Sequence, residues 1–401
     1  MTVTGIIAEY NPFHNGHKYH IAKSREITGA DYVIVIMSGD YTQRGTPAIY
    51  SKYMRARAAL MSGADLVLEM PVFGSVSAAP DFSDCGVSIL NSTGVCDHLC
   101  FGSESGDLEQ LMRHTDILEH ESAEISDKIK NGLKAGLSWP QARAEAYRDL
   151  ADIPSSPNDI LSIEYMKSIR RLHASMKPVT IQRTDPGYHS EESLGSFASA
   201  TAARKAILNR DWKFLDQIMP TEFFDSLQQE QCPPVTFDDF SLLINDRILR
   251  ATKEDLAMIS GMPDDLSRKL FHERRNFSNA SDLVSERKDR QYTYTRVNRC
   301  LLNVMLQITK EETERYKQMN SAPWIRILGF KKDASPLLSS MKKNAAVPII
   351  TKTAAASSYL TTDAFSLFEK HVQCADIYRM VQQTKTGQSV RNEYTRSVII
   401  I

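Results

Sequence analysis

"TGIIAEYNPFHNGHKYHIAKS", residues 4–24, decides the fold, because an apolar run passes directly into a helix-like pattern. The apolar run contains β-branched isoleucines and is typical of a buried strand. The connecting loop carries His14 and His17, and His20 follows one helical turn later. The stretch therefore predicts a strand, a short loop and a helix, with histidines where the helix begins.

Further strands and helices alternate along the first half of the chain. A nearly continuous apolar run predicts a strand at 31–37, since strands buried on both faces of a sheet lack polar alternation. Further strands are predicted at 64–71, 96–104 and 177–185. Helical patterns separate them. Strand–helix–strand units at this spacing indicate right-handed crossovers. We therefore predict an α/β fold with a Rossmann-like, doubly wound parallel sheet, followed by a helical region and a small C-terminal α/β unit.

The 401 residues exceed one ordinary core, so more than one domain is expected. We predict boundaries that give domains at 1–210, 211–320 and 321–401. The net charge of −1 argues against a protein that binds polyanions over its whole surface, so any nucleic-acid contact needs a local basic face. No apolar run approaches the roughly 20 residues of a membrane span, and no leader pattern is evident. We expect a cytoplasmic protein without a membrane partner.

The six cysteines show no CxxC spacing and are expected to be reduced thiols, with no metal site. His14 and His17 also make a poor zinc site, which on a helix would favour histidines four residues apart with a carboxylate between them. Neither a GxGxxG fingerprint nor a P-loop follows the first strand.

A phosphate site fits the histidines better. In a doubly wound sheet, ligands bind at the carboxyl ends of the strands, and phosphates favour the next helix N-terminus. Gly16 lets a phosphate oxygen approach the backbone, and His14 and His17 lie on one face and can donate hydrogen bonds to it. Two histidines without a chemical role are the alternative. For His20, helix packing or a position beside a ribose is favoured over catalysis.

A second polar turn, "SATAAR" at 199–204, follows the fifth strand. With the first loop it resembles the paired signatures of the HxGH nucleotidyltransferase superfamily. Ser199 and Thr201 would then cap the helix and face a phosphate, and Arg204 would neutralise the leaving pyrophosphate. Ala203 departs from the usual branched aliphatic residue. A plain helix cap with a solvated arginine is the alternative.

Longer segments resemble the bacterial tRNA(Met) cytidine acetate ligase family along nearly the whole chain. They include "GIIAEYNPFHNGHKYH", "MSGDYTQRGTPAIYSKYMRARAAL", "GADLVLEMP", "CFGSES", "QYTYTRVNR" and "IRILGF". The resemblance implies a ligase that uses ATP, with Mg²⁺, to convert acetate into acetyl-adenylate and pyrophosphate. The acetyl group would then pass to the exocyclic amine of the wobble cytidine of elongator tRNA(Met), and acetyl-CoA would not be needed.

The resemblance also assigns residues. The catalytic candidates are His14, His17, Lys18, Asp40 and Lys52. Candidates for acetate or phosphate binding are Gln43 and Arg44. The ATP-binding candidates are Ile7, Ala8, Glu9, Tyr10, Asn11, Pro12, Phe13, His14, Asn15, Gly16, His17, Lys18, Tyr19, His20, Gly102, Asn158, Arg183, Ser199, Thr201 and Arg204. For Lys52, Arg55 and Arg57, the alternative to a functional role is a place on a solvated helix face. For Asn158 the alternative is a helix cap, and for Arg183 it is a surface arginine at the end of a strand.

The RNA substrate would need an electropositive surface, for which 273–299 combines arginines with aromatic residues. The tRNA-binding candidates are Arg287, Lys288, Arg290, Tyr292, Tyr294, Arg296 and Arg299. The regions 211–320 and 321–401 are both candidates for tRNA binding, and a solvated pair of helices is the alternative for 273–299. Two other functions stay open: an adenylyltransferase for a small phosphorylated metabolite, and a non-catalytic nucleotide- or RNA-binding protein.

Overall fold

The structure is a computed structural model. It describes residues 1–119, 122–137, 139–148, 154, 156–183, 197–230, 233–288 and 292–401.

Five parallel strands form the centre of the sheet. They are β1 (Val3–Ala8), β2 (Tyr32–Ser38), β3 (Leu66–Met70), β4 (His98–Ser103) and β5 (Lys177–Gln182). Their order is β5-β4-β1-β2-β3, so the chain moves outward in one direction and then reverses to the other side of β1. This confirms the predicted doubly wound, mainly parallel sheet.

The strands of the C-terminal segment continue the same sheet. β6 (Ile325–Phe330) pairs antiparallel with β3, and the short β7 (Ile349–Ile350) and β8 (Ile399–Ile400) both pair parallel with β6. The register places Arg326 opposite Glu69.

Hydrophobic side chains cover both faces of the sheet. Along β2, Ile34 and Ile36 belong to one core, whereas Val33 and Val35 belong to a second. This division follows from the alternation of side chains along a strand. It explains the continuous apolar run, because each residue of the strand is buried on one side or the other.

Helices cover the sheet and form most of the middle of the chain. Their bounds are α1 (Asn15–Thr28), α2 (Lys52–Met61), α3 (Val72–Ser75), α4 (Ala79–Ser92), α5 (Leu108–Glu119), α6 (Ala123–Lys134), α7 (Trp139–Tyr147), α8 (Pro157–Arg171), α9 (Ala200–Asn209), α10 (Trp212–Ile218), α11 (Thr221–Glu230), α12 (Ser241–Arg250), α13 (Lys253–Met258), α14 (Asp264–His272), α15 (Ala280–Arg287), α16 (Tyr294–Leu306), α17 (Lys310–Gln318), α18 (Ser335–Asn344) and α19 (Thr362–Thr386). Among the helices of the described residues, none combines the length and apolarity that a membrane crossing requires.

Candidate active site

The two histidines of the first loop stack on each other where α1 begins. His14 is the N-cap, and its backbone N–H donates to Nδ1 of His17 over 3.3 Å. The ring centroids lie 3.7 Å apart, with 24° between the ring planes. Because Nδ1 of His17 accepts a hydrogen bond, its neutral ring carries the proton on Nε2. The pair therefore presents an N–H donor at the carboxyl end of β1.

Burial and nearby arginines keep these rings neutral. Burial, and then the positive charges of Arg183 and Arg204, lower the pKa of His14 to about 3. Burial also holds the pKa of His17 well below its usual value, with His14 and Arg183 contributing. The pKa of His20 falls to about 4 through burial and Arg183. At neutral pH the histidines are thus uncharged donors, and the arginines provide the positive charge.

Gly16 allows the His14 ring to lie over the first turn of α1. A Cβ at this position would sit 3.0 Å from Cε1 of His14 and 3.1 Å from its Nδ1. Nδ1 of His14 is buried and makes no hydrogen bond of normal geometry, although the His14 side chain faces the His17 N–H in a capping-box arrangement. A buried polar atom without a partner is costly unless a ligand supplies one. This orphaned nitrogen fits a site that is completed by a bound phosphate.

The turn before α9 reaches the first loop through Arg204. Ser199 is the N-cap, and its Oγ accepts from the Ala202 N–H over 3.1 Å. Arg204 donates from Nη1 to the Asn11 carbonyl over 2.7 Å and from Nη2 to Oγ1 of Thr201 over 3.0 Å. The structure therefore brings both sequence motifs together, with Arg204 bridging them.

Gly102 and Asn158 lie where β4 ends. A Cβ on Gly102 would lie 3.1 Å from Cγ of Arg183, so this glycine leaves room for the arginine side chain. Nδ2 of Asn158 donates to Oε1 of Glu104 over 2.6 Å. Glu104 and Asp159 also exchange hydrogen bonds, each carboxylate accepting from the backbone N–H of the other residue over 2.9 Å. Sequence reasoning missed this pair, although acids at a strand end and in a first helical turn are a usable signal.

The loop after β2 is tied to the end of β1. Oε1 of Glu9 accepts from the Gln43 N–H over 2.6 Å. Arg55 is fully buried and donates to the carbonyls of Glu9 over 2.6 Å and Ser38 over 3.1 Å, and also contacts the Gly39 carbonyl. Arg55 is therefore not on a solvated helix face. It fixes the carboxyl ends of two strands through their carbonyl oxygens.

Lys52 and Asp40 belong to a buried group that we call the ion cluster: Asp40, Lys52, Glu69, Arg326 and Glu393. Nζ of Lys52 lies 2.8 Å from Oε1 of Glu69, 3.1 Å from Oε2 of Glu393 and 3.6 Å from Oδ2 of Asp40. Arg326 contacts both glutamates. Lys52 is therefore inside the protein and not on a solvated helix face.

Charges in the ion cluster stabilise one another. Burial by itself lowers the pKa of Lys52, but Glu393, Glu69 and Asp40 outweigh it and raise that pKa above its usual range. Burial raises the pKa of Asp40, and Lys52 opposes that rise. Asp40 also accepts the backbone N–H of Lys52 over 3.0 Å.

The predicted tRNA-binding residues divide into two sets. Three of them hold the protein together: Arg287 is buried against Glu273 and Glu286, Tyr292 donates to Asp265, and Arg299 donates to the Gln43 carbonyl. Lys288, Tyr294 and Arg296 are exposed. Nζ of Lys288 lies 4.6 Å from the centre of the Tyr294 ring, and the Arg296 guanidinium lies 5.0 Å from the centre of the buried Tyr292 ring. Arg290 lies outside the described residues.

Comparisons with known proteins identify the family of this chain. Residues 1–393 match the family described as HIGH Nucleotidyl Transferase. A tRNA(Met) cytidine acetate ligase of Acetivibrio thermocellus is 34% identical over 415 residues, covering 100% of both chains. The chain belongs to the tRNA(Met) cytidine acetate ligase family. A Clostridium novyi member is 35% identical over 367 residues, covering 88% of this chain and 90% of its own.

Solved structures of this family have the same fold. The crystal structure of Thermotoga maritima TmcAL bound with alpha-thio ATP superimposes with a TM-score of 0.90 at 28% identity, over 100% of both chains. The apo form gives 0.91 at 29% identity, again over 100% of both. Family membership makes the present chain a ligase with a nucleotidyltransferase fold.

Proposed function

We propose that the chain is an ATP-dependent ligase that acetylates the wobble cytidine of elongator tRNA(Met), using acetate and no acetyl-CoA, in the cytoplasm. The observation that carries this proposal is the stacked, neutral pair of His14 and His17; burial lowers both pKa values, Arg183 lowers both further, and Arg204 lowers that of His14. Such a site suits a nucleoside triphosphate. The names of the relatives indicate that the acetyl group goes to a cytidine of tRNA(Met).

In the first half-reaction, an acetate oxygen attacks the α-phosphorus of ATP. The bond between that phosphorus and the bridging oxygen breaks, and pyrophosphate leaves. Acetate is already ionised at neutral pH, so this step needs no general base. It needs alignment and stabilisation of the charge that develops on phosphate. His14 and His17 would donate to the α-phosphate, with Lys18 nearby, and Arg204 would neutralise the pyrophosphate.

Mg²⁺ would enter with the triphosphate. The described residues contain no group of three or more His, Cys, Asp or Glu side chains arranged to hold a metal ion. Mg²⁺ commonly keeps several waters and binds through substrate phosphates, which fits this donor set. Its charge would help to neutralise the triphosphate.

The loop after β2 is proposed to hold the acetate. Burial raises the pKa of Glu9, and the positive charge of the exposed Arg44 opposes that rise. Arg44 therefore lies close to the nucleotide site and is available for a carboxylate or phosphate, with Gln43 beside it. Asp40 and Lys52 would act indirectly, because the ion cluster fixes the positions at which the loop begins and ends.

In the second half-reaction, the cytidine N4 amine attacks the acetyl carbonyl carbon. The bond from that carbon to the phosphate oxygen breaks, its electron pair leaves with AMP, and one amine proton passes to water. The exposed Lys288, Tyr294 and Arg296 would contact the RNA through phosphate pairing and base stacking.

The test is incubation with labelled acetate, ATP and tRNA, without acetyl-CoA, followed by nucleoside analysis. We expect the label in N4-acetylcytidine, with a yield that falls as added salt screens the basic contacts. Acetate-dependent exchange of pyrophosphate into ATP should occur without RNA. Exchange that requires a phosphorylated metabolite would instead identify an adenylyltransferase, and RNA or nucleotide binding without exchange would identify a non-catalytic protein.

Matched histidine variants test the role of the stacked pair. His14→Asn and His17→Asn should each lower the exchange rate by about 10²-fold or more, as expected when a donor to a developing phosphate charge is removed. His272→Asn, on an exposed position of α14, should leave it unchanged. If all three variants exchange at the wild-type rate, the proposed catalytic role of His14 and His17 is wrong.

A further inference from the structure

A cavity separate from the loop of His14 and His17 lies between helices that cover the sheet. Its volume is about 730 Å³, and its walls come from α3, the start of α4, α8, α16 and α17. That volume is within the range of roughly 300–1,000 Å³ that is usual for small-molecule sites. Its lining includes Phe73, Ile160, Glu164, Arg296, Arg299 and Asn303.

The cavity lies at the edge of the sheet where the nucleotide site lies. Phe73 follows the carboxyl end of β3, and Ile160 lies in the first turns of α8, just after Asn158. Arg299 donates to the Gln43 carbonyl over 3.1 Å, and the Gln43 N–H donates to Glu9 at the end of β1. Two hydrogen bonds through one residue therefore join the cavity wall to the loop that follows β1.

The wall contains an acceptor without a donor. Asn303 is 4% exposed and donates from Nδ2 to the Ser260 carbonyl over 3.1 Å, but its Oδ1 has no hydrogen-bond partner. A buried acceptor of this kind costs free energy unless a ligand donates to it. Glu164 adds a carboxylate to the wall. Its Oε1 lies 3.3 Å from Nζ of Lys167. Both acceptors suit a ligand that brings N–H donors.

The remaining walls suit a base attached to a phosphate. Phe73 and Ile160 give apolar surface for a base, and Arg296 and Arg299 place positive charge at the same cavity. Bases in unpaired RNA segments can be splayed out into such pockets, where side chains read their Watson–Crick edges. Carboxylate and amide oxygens distinguish cytosine, whose N4 amine donates, from uracil, whose O4 accepts.

We propose that this cavity receives the single unpaired cytidine that accepts the acetyl group, with Asn303 and Glu164 as specificity-determining residues for its amine. This inference rests on the proposed function and names the subsite for the second substrate. Arg296 and Arg299 contact the phosphate next to that cytidine. Binding there brings the amine to the edge of the sheet where the acetyl-adenylate is made, and the bond changes are those of the second half-reaction.

The experiment compares the full-length protein with the variant Asn303→Leu, using two hairpin RNAs that differ only in one unpaired loop base, cytidine or uridine. We expect the wild type to bind the cytidine hairpin about tenfold more tightly, and Asn303→Leu to lose that preference. Acetyl transfer should fall at least tenfold in the variant. Acetate-dependent pyrophosphate exchange, which needs no RNA, should stay at the wild-type rate.

Glu164→Gln keeps the size of its side chain on a partly exposed helix face and should fold even if Asn303→Leu does not. It should weaken binding of the cytidine hairpin and leave exchange unchanged. Asn131→Leu, exposed on α6, should match the wild type in every assay. Three results would overturn the subsite. The wild type could bind both hairpins equally, both cavity variants could keep the preference for cytidine, or a variant could lose exchange to the same extent as transfer. Absence of acetate-dependent exchange in the wild type would instead refute the proposed function.

Discussion

Replacing Lys52 with methionine would remove the positive charge at the middle of the ion cluster while keeping a side chain of similar length. The ammonium is 1% exposed and lies within 3.1 Å of two carboxylates that are themselves almost fully buried. All five residues of the cluster are buried, so water has little access to the charges that remain. The variant therefore leaves uncompensated negative charge inside the protein.

The expected cost follows from what remains after the change. Glu69 and Glu393 keep Arg326 as a partner, but Asp40 loses the cation that lowers its pKa. Removing one partner of a buried ion pair typically costs about 3–5 kcal/mol. That is a large part of the roughly 5–15 kcal/mol that stabilises a typical protein. Combining Lys52→Met with Asp40→Asn should recover part of the loss, because the second change removes the unpaired charge.

Urea denaturation midpoints measure these costs. The control is Lys128→Met in α6, whose ion pair with Glu124 is exposed and has a distance of 3.1 Å; such pairs contribute about 0–1 kcal/mol. The double variant is compared with the sum of the two single variants. If Lys52→Met costs no more than Lys128→Met, or if Asp40→Asn brings no recovery, the charge argument is wrong.

Two further perturbations test the site. The pKa of His14 is lowered to about 3 in the folded chain. Below about pH 6.5 the unfolded chain therefore binds a proton at this histidine that the folded chain does not bind. As a result, the free energy of unfolding falls with decreasing pH. His14→Asn should flatten that fall by up to about 1.4 kcal/mol per pH unit, measured by denaturation at pH 5 and pH 6; an unchanged slope would contradict it. Gly45 has φ +74°, and its Cβ would lie 2.8 Å from Cα of Arg299, so Gly45→Ala should cost about 1–3 kcal/mol. Gly136→Ala, at φ +88° with open space around it, should cost less; equal thermal shifts would contradict the packing argument.

The sheet could be predicted because its signal is local. The apolar run at 31–37 corresponds to β2 at Tyr32–Ser38, and the run at 177–185 begins where β5 begins, although β5 ends at Gln182. A strand buried on both faces is continuously apolar, so its existence can be read from neighbouring residues alone. The position of the stacked histidines could also be predicted, because a helix start after the first parallel strand has a fixed place in this fold.

The burial of several charged side chains could not be predicted in the same way. Lys52, Arg55 and Arg287 lie in segments that look like solvated helices, yet all three are buried. Their partners are carbonyl oxygens at strand ends or carboxylates elsewhere in the chain, including Glu393 near the C-terminus. The contact between Arg326 and Glu69 in the ion cluster depends on β6 joining β3. No local pattern encodes that contact.

The loop after β2 connects these observations. Arg55 holds its start through the Ser38 and Gly39 carbonyls, the ion cluster holds its end at Lys52, and Gly45 packs against the backbone of α16. α16 thus packs against the same loop whose Gln43 N–H donates to Glu9 at the end of β1. On the proposed function, both half-reactions share this loop, so Gly45→Ala should lower the rates of both acetate-dependent exchange and acetyl transfer.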